Sequence, residues 1–167
     1  MRRTVATSLA LTVAATAAVA TTTVLAGSAS AAHEGRLLTA ALDGRSEVAT
    51  GAQDRRIVGD PDGRGEAYVF GTEAAAGDPA GTGRVCYVLE ADKIAPATAA
   101  HIHRGAAGEN GPVVAALSAP SDGTSAGCVV LPVADVRAIF GNPAGFYVNV
   151  HNAEFPGGAL RGQLAEQ

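Results

Sequence analysis

Apolar and polar residues alternate with a period of two through most of the chain after residue 35. Such a period places one set of side chains on each face of a β-strand. Clusters of Gly, Pro, Asp and Ser interrupt the pattern and indicate turns between antiparallel strands. The predicted strands are Arg36–Leu42, Gly65–Gly71, Gly83–Glu90, Ala99–His103, Val113–Leu117, Cys128–Leu131, Gly145–His151 and Leu160–Leu164.

One segment has a helical period instead. Val133–Phe140 follows a proline, places Val136 and Phe140 on the same side as its first residue, and stops at Gly141-Asn142-Pro143. The sequence shows neither an internal repeat nor a dividing linker. We therefore predict one all-β domain, an antiparallel sandwich or barrel of about eight strands with one short helix.

The first 32 residues have the composition of a secretory leader. They hold two of the 12 basic residues, no acidic residue and 11 of the 37 alanines. They end in Ala29-Ser30-Ala31-Ala32, which satisfies the small-x-small cleavage rule. We expect residues 1–32 to be a signal peptide, cleaved after Ala31 or Ala32, and residues 33–167 to be the single domain of a secreted protein.

The charge of the expected mature chain weighs against nucleic acid as a partner. It carries all 16 acidic and 10 of the 12 basic residues, a net charge of −6. Its arginines are scattered and Lys93 is the only lysine, whereas phosphate-binding proteins have a basic cluster. No apolar run after residue 32 reaches the length of about 18 residues that spans a bilayer. We predict no nucleic-acid partner and no membrane span in the mature chain.

Both cysteines, Cys86 and Cys128, fall in the part expected to be exported. An even number of cysteines in an oxidising compartment favours a disulfide. The alternative is a pair of buried free thiols, since two thiols are too few for a structural zinc site. We predict the disulfide.

Three of the four histidines lie in two predicted strands. His101 and His103 are two residues apart and therefore share a face, with Ile102 opposite. The strand that ends at His151 and the last strand show the same division into an apolar and a polar face. If the three strands are neighbours, one core contains Ile102, Val148, Val150, Leu160 and Leu164. The opposite, polar face then contains His101, His103, Tyr147, Asn149, His151, Arg161 and Gln163.

Neutral imidazole is a good ligand for copper and zinc, so His101, His103 and His151 are candidate metal ligands. The alternative is a polar network in which these side chains hydrogen-bond to one another and to backbone. His33, the fourth histidine, could also bind copper if cleavage after Ala32 made it the N-terminus. Four histidines are too few for a complete dismutase-type copper–zinc site, and no Gly-x-Ser-x-Gly motif is present. We predict no enzymatic activity.

Two long motifs carry a family resemblance. The first runs from His101 to Val114, and the second combines Tyr147–His151 with Pro156–Leu164. Together they resemble the CHRD domain, named after chordin, a secreted protein that binds bone morphogenetic proteins, and found in many exported bacterial proteins. The resemblance covers Leu37–Leu164. It implies an extracellular, immunoglobulin-like β-domain with no established enzymatic activity.

Two features depart from the pattern of the family. Ala159 stands where many members have Glu, and the Cys86/Cys128 pair is not general among them. The sequence thus predicts an exported, non-catalytic binding or structural module that needs no cofactor. Its expected partner is a protein or a cell-envelope component of unknown identity. The alternative is a copper- or zinc-binding protein that uses the three histidines.

Overall fold

The computed structural model describes residues 36–49, 58–73 and 77–167. The expected signal peptide, its cleavage site and His33 lie outside these residues. The described chain is all-β with one short α-helix, which confirms the predicted class. Its elements are β1 (Leu37–Asp43), β2 (Arg64–Glu73), β3 (Thr82–Asp92), β4 (Ala97–Arg104), β5 (Val113–Leu117), β6 (Thr124–Pro132), α1 (Val133–Gly141), β7 (Phe146–Asn152), β8 (Leu160–Gln163) and β9 (Ala165–Glu166).

The strands form one antiparallel sheet that nearly closes into a barrel. Their order is β5-β4-β7-β8-β1-β2-β3-β6, and the short β9 pairs with β1. The two end strands, β5 and β6, contact each other. The Ser125 hydroxyl in β6 donates a 2.8 Å hydrogen bond to the carbonyl of Ser118, the residue after β5. This bond joins the two ends of the sheet order.

The core lies inside the barrel and consists of the inward-facing residues of the alternating strands. The five residues predicted for one side of the core are at most 1% exposed. Leu38, Val69, Val85 and Leu89 complete the core from β1, β2 and β3. Each fully buried side chain of this size contributes roughly 1.5–3 kcal/mol through removal of apolar surface from water.

Helix α1 packs on β2, β3 and β6. It buries Val136, Ile139 and Phe140, whereas Val133, which the sequence pattern placed on the buried side, is only half-buried. The Phe140 ring lies against Gly71, where any Cβ atom would overlap it. The close approach of helix and sheet therefore requires glycine at that position. Within the described residues, no helix has both the length and the apolarity needed to cross a membrane.

The predicted strands lie at the correct places, but some of their ends differ. β6 begins at Thr124, four residues before the predicted start at Cys128. The segment Thr124–Gly127 lacks apolar alternation, and it is extended because its backbone pairs with β3 as far as Glu90. Pairing with a neighbouring strand, which a local pattern does not contain, thus sets this end.

The disulfide lies on the outside of the barrel. Cys86 of β3 and Cys128 of β6 are directly opposite each other in the ladder and are bonded. They are 42 residues apart in the sequence. The bond therefore ties β6, the last strand of the sheet order, to β3, with which its backbone pairs.

Replacing both cysteines by alanine should destabilise the protein by about 4 kcal/mol, because the unfolded chain regains the freedom of a loop of this length. Guanidinium unfolding, with and without a reducing agent, measures the effect. Reductant should shift the wild-type curve towards that of the double variant and leave the variant unchanged. Equal free energies of unfolding for oxidised wild type and double variant would contradict this account.

Candidate metal centre

Neighbouring strands bring the three histidines together. In the antiparallel pairing of β4 with β7, His101 is opposite Asn149, His103 is opposite Tyr147, and His151 is opposite Ala99. Each histidine offers one ring nitrogen to a group in which all the nitrogens lie within 4.8 Å of one another. All three rings are half-buried. The geometry is that of a candidate three-histidine metal site.

Backbone carbonyls orient two of the three rings. The Nδ1 atom of His103 lies 2.9 Å from the Gly111 carbonyl oxygen, and Nδ1 of His151 lies 3.1 Å from the Pro156 carbonyl oxygen. A carbonyl oxygen only accepts hydrogen bonds, so each Nδ1 carries the proton and donates. In the neutral ring, the lone pair is then on Nε2. These contacts assign the tautomer in which Nε2 is free to bind a metal ion.

Two ring nitrogens are close together. Nε2 of His151 lies 3.2 Å from Nδ1 of His101, which donates a hydrogen bond to it in the metal-free protein. Two nitrogens of a tetrahedral site are about 3.3–3.4 Å apart when each metal–nitrogen bond is about 2.0–2.1 Å. The Nε2 atom of His103 is buried and has no hydrogen-bond partner in the described part of the chain. A buried acceptor without a partner is costly, and a bound cation would satisfy it.

The surroundings keep two of the imidazoles, His101 and His151, in the form that binds metal. Burial lowers the pKa of His101, and the charges that His151 and His103 would carry lower it further. Burial also lowers the pKa of His151; the bond to the Pro156 carbonyl opposes this shift, and His103 adds to it. Both rings are therefore neutral at pH 7, which is the state in which imidazole coordinates a metal.

The remaining residues of the predicted polar face lie on the expected side, but three of them are not at a solvated surface. Tyr147, Asn149 and Arg161 are at most 3% exposed, and only Gln163 is half-buried. The glycine-rich loop between β4 and β5, residues 105–112, lies over them, as its hydrogen bonds to Arg161 show. The sequence predicted this loop only as a connecting turn.

The buried guanidinium of Arg161 holds that loop. It donates to the side-chain oxygen of Asn110 (3.1 Å) and to the carbonyl oxygens of Ala106 (3.2 Å) and Glu109 (2.6 Å). Its carbon atom Cζ lies 3.5 Å from the centre of the Tyr147 ring. Burial lowers the pKa of Arg161, because the surroundings solvate the charge less well than water does.

Tyr147 connects this guanidinium to the metal site. Its ring stacks on that of His103, with centroids 4.8 Å apart and planes 7° from parallel. The Gly111 N–H donates to the Tyr147 hydroxyl (3.3 Å), while the carbonyl of the same glycine accepts from His103. Gly111 packs so closely on the Arg104 carbonyl that a Cβ atom would overlap it. Gly111 is therefore needed for the loop to reach both side chains.

Gln163 fastens the beginning of the loop. Its side-chain nitrogen donates to the carbonyl oxygens of Gly105 (2.9 Å), Ala144 (2.7 Å) and Phe146 (2.7 Å). The backbone N–H of Gly105 donates to Gly145 (2.8 Å). Two side chains of β8 thus hold the loop: Gln163 holds its start and Arg161 holds its middle.

Sequence reasoning missed Glu47, which lies in the segment after β1. We call Glu47 and the four non-histidine residues of the polar face the polar layer; those four are Tyr147, Asn149, Arg161 and Gln163. Its carboxyl group accepts a hydrogen bond from the Asn149 side chain and lies beside Gly158. Burial raises the pKa of Glu47 to about 7, although the nearby Arg161 charge and the bond from Asn149 oppose the shift. Glu47 lies outside the period-two pattern of β1, so no local signal marked it.

Comparison with known proteins identifies one family. The model of the CHRD domain matches residues 38–164, which extend from β1 to the residue after β8. The match includes all three histidines and every residue of the buried polar layer. No curated protein and no solved structure gives a significant match.

Replacing Glu47 with Gln should change how stability depends on pH. A pKa of about 7 in the folded protein, against 4.5 ordinarily, means that the folded state holds this proton more tightly. The stabilisation of the folded state by this proton is fully present below about pH 4.5 and is lost as pH rises through about 7. From pH 5 to 7, Glu47→Gln should gain stability relative to wild type by up to about 1.4 kcal/mol per pH unit.

Chemical unfolding at pH 5, 6, 7 and 8 measures this difference. The lowered pKa values of His101 and His151 act in the opposite direction, but they are present in both proteins and cancel in the comparison. Glu154→Gln, which removes an exposed carboxyl group, serves as the control. Parallel pH curves for wild type and Glu47→Gln would show that burial does not hold the proton on Glu47.

Proposed function

The chain belongs to the CHRD domain family, and we propose that it is an exported, non-catalytic module of that family that binds one copper or zinc ion. The ligands are Nε2 of His103, Nε2 of His151 and Nδ1 of His101. Imidazole nitrogen is a good ligand for both metals. The proposal gives the ion a binding role and no part in a reaction.

The observation that carries the proposal is the buried, unpartnered Nε2 of His103. His103 belongs to a group of three histidines that each offer one ring nitrogen within 4.8 Å of the others, and a backbone carbonyl also fixes the lone pair of His151. Metal-binding histidines commonly donate the other ring N–H to such an oxygen, which sets the ring orientation. His101 Nδ1 satisfies the His151 acceptor by a hydrogen bond in the metal-free protein, but no group in the described part of the chain does so for the buried acceptor of His103.

Two features support an exported location. The leader-like composition of residues 1–32 predicts secretion. The Cys86–Cys128 disulfide is typical of an oxidising compartment. An exported chain meets metal ions without competition from the reducing thiols of a cytosol.

Titration of the processed, metal-stripped protein with Zn²⁺ and with Cu²⁺ should show one site. His101→Gln, His103→Gln and His151→Gln should each weaken binding at least 100-fold, because two remaining imidazoles complete too little of the coordination sphere. Isothermal titration calorimetry measures the affinities, and metal analysis of protein purified from native secretion shows which ion is bound.

His33→Ala is the matched control, because it removes the one histidine outside the group. It should bind metal as the wild type does. Equal binding by His103→Gln and wild type would exclude the three-histidine site. Loss of binding in His33→Ala alone would place the metal at the N-terminus instead.

Binding of a cell-envelope component is a second candidate function, favoured by an apolar strip on the outside of the barrel. Phe70 (40% exposed) is opposite Cys86, which is bonded to Cys128, and Val130 (45% exposed) follows two residues later on the same face. Exposed apolar residues that adjoin one another are typical of interaction sites.

The double variant Phe70→Ser/Val130→Ser should then co-sediment with the envelope fraction of the source organism at least fivefold less than wild type. Val113→Ser is the control, since it removes an exposed apolar side chain of β5 that is not part of the strip. If the double variant and wild type sediment equally, the strip has no such role.

A further inference from the structure

We propose that Arg161 is the positioning residue of the metal site: its guanidinium holds the loop and the aromatic ring that together set the orientation of His103. This inference rests on the proposed function. Arg161 acts through other groups, and two separate routes lead from it to His103.

The first route runs through the loop over the polar layer. Three of its groups, at Ala106, Glu109 and Asn110, accept hydrogen bonds from the guanidinium. The next residue, Gly111, provides the carbonyl oxygen that holds the Nδ1 proton of His103. Fixing the loop on Arg161 therefore fixes the atom that determines the tautomer of His103.

The second route runs through Tyr147. In the sheet order, β7 lies between β4, which carries His103, and β8, which carries Arg161. The imidazole and the guanidinium thus cover opposite faces of the phenol ring, at 4.8 Å and 3.5 Å from its centre. A cation over an aromatic ring is attracted to its face. The Tyr147 ring thus links the guanidinium to the His103 ring through two face contacts.

The chemistry of arginine explains why this residue suits the position. A planar guanidinium has five N–H donors in a fixed fork and also stacks on an aromatic face, whereas the lysine ammonium does neither. Burying a charge is costly unless it is hydrogen-bonded. Arg161 is 2% exposed and uses both terminal nitrogens on the loop. An uncharged side chain would fill the same space without this cost, so the charge and the donors of Arg161 are what the position uses.

The loop is also joined to the opposite side of the polar layer, which limits how far it can relax. The Asn110 amide nitrogen donates to the carbonyl oxygens of Val48 (3.1 Å) and Ala49 (3.3 Å). The oxygen of the same amide accepts from Arg161. Asn110 thus holds the tip of the loop between Arg161 and the segment after β1.

Arg161→Lys tests the inference, because it keeps the charge and removes the fork. Zn²⁺ affinity should fall 10- to 100-fold, the range typical when a group behind a metal ligand is lost. Nitrogen NMR of the metal-free protein should show His103 protonated at Nδ1 in wild type and as a mixture of the two tautomers in Arg161→Lys. Asn110→Ala, a change in the loop that spares the core, should lower affinity in the same direction by two- to fivefold.

Leu89→Ala is the control for stability alone, since it opens the core under β3 and touches neither route. It should lower the unfolding midpoint without changing the His103 signal. The inference is overturned if Arg161→Lys and Asn110→Ala keep wild-type affinity and tautomer, or if Leu89→Ala alters the tautomer as much as Arg161→Lys does. Wild type that takes up neither metal contradicts the proposed function, while the NMR signal still decides whether Arg161 orients His103.

Discussion

The register of β7 between β4 and β8 is the constraint on which both the core and the candidate metal centre depend. Pairing of Ile102 with Val148 directs both side chains into the barrel and places His103 opposite Tyr147 on the other side. A slip by one residue would exchange the two faces, exposing the apolar set and burying the imidazoles among aliphatic side chains. Burial of the core thus fixes the position of the histidines.

The polar side of these strands is also buried, and its side chains are held by hydrogen bonds. Arg161 brings a charge to it and Glu47 a carboxyl group with a pKa of about 7, while Asn149 donates hydrogen bonds to Glu47 and to the Leu160 carbonyl oxygen. The Glu47 carboxyl lies beside Gly158, so the segment after β1 brings a carboxyl group to the turn that precedes β8.

The alternating pattern predicted which face of each strand a side chain lies on. It did not predict that a loop buries the polar face. The period of two separated Ile102 from His101 and His103, and the same division in two other strands predicted the polar face. It did not show that residues 105–112 cover this face, because a glycine-rich turn has no period. Burial of Arg161 likewise depends on acceptors that are more than 50 residues away in the chain. Such contacts exist only after the strands have paired.

The titrating groups of the polar layer oppose each other. The raised pKa of Glu47 makes the folded state lose stability as pH rises through about 7, whereas the lowered pKa values of His101 and His151 make it lose stability on acidification. The two effects have opposite signs, and both act just below pH 6.5, the ordinary pKa of histidine. The proton held by Glu47 therefore offsets part of the stability that the two imidazoles cost the folded state on acidification.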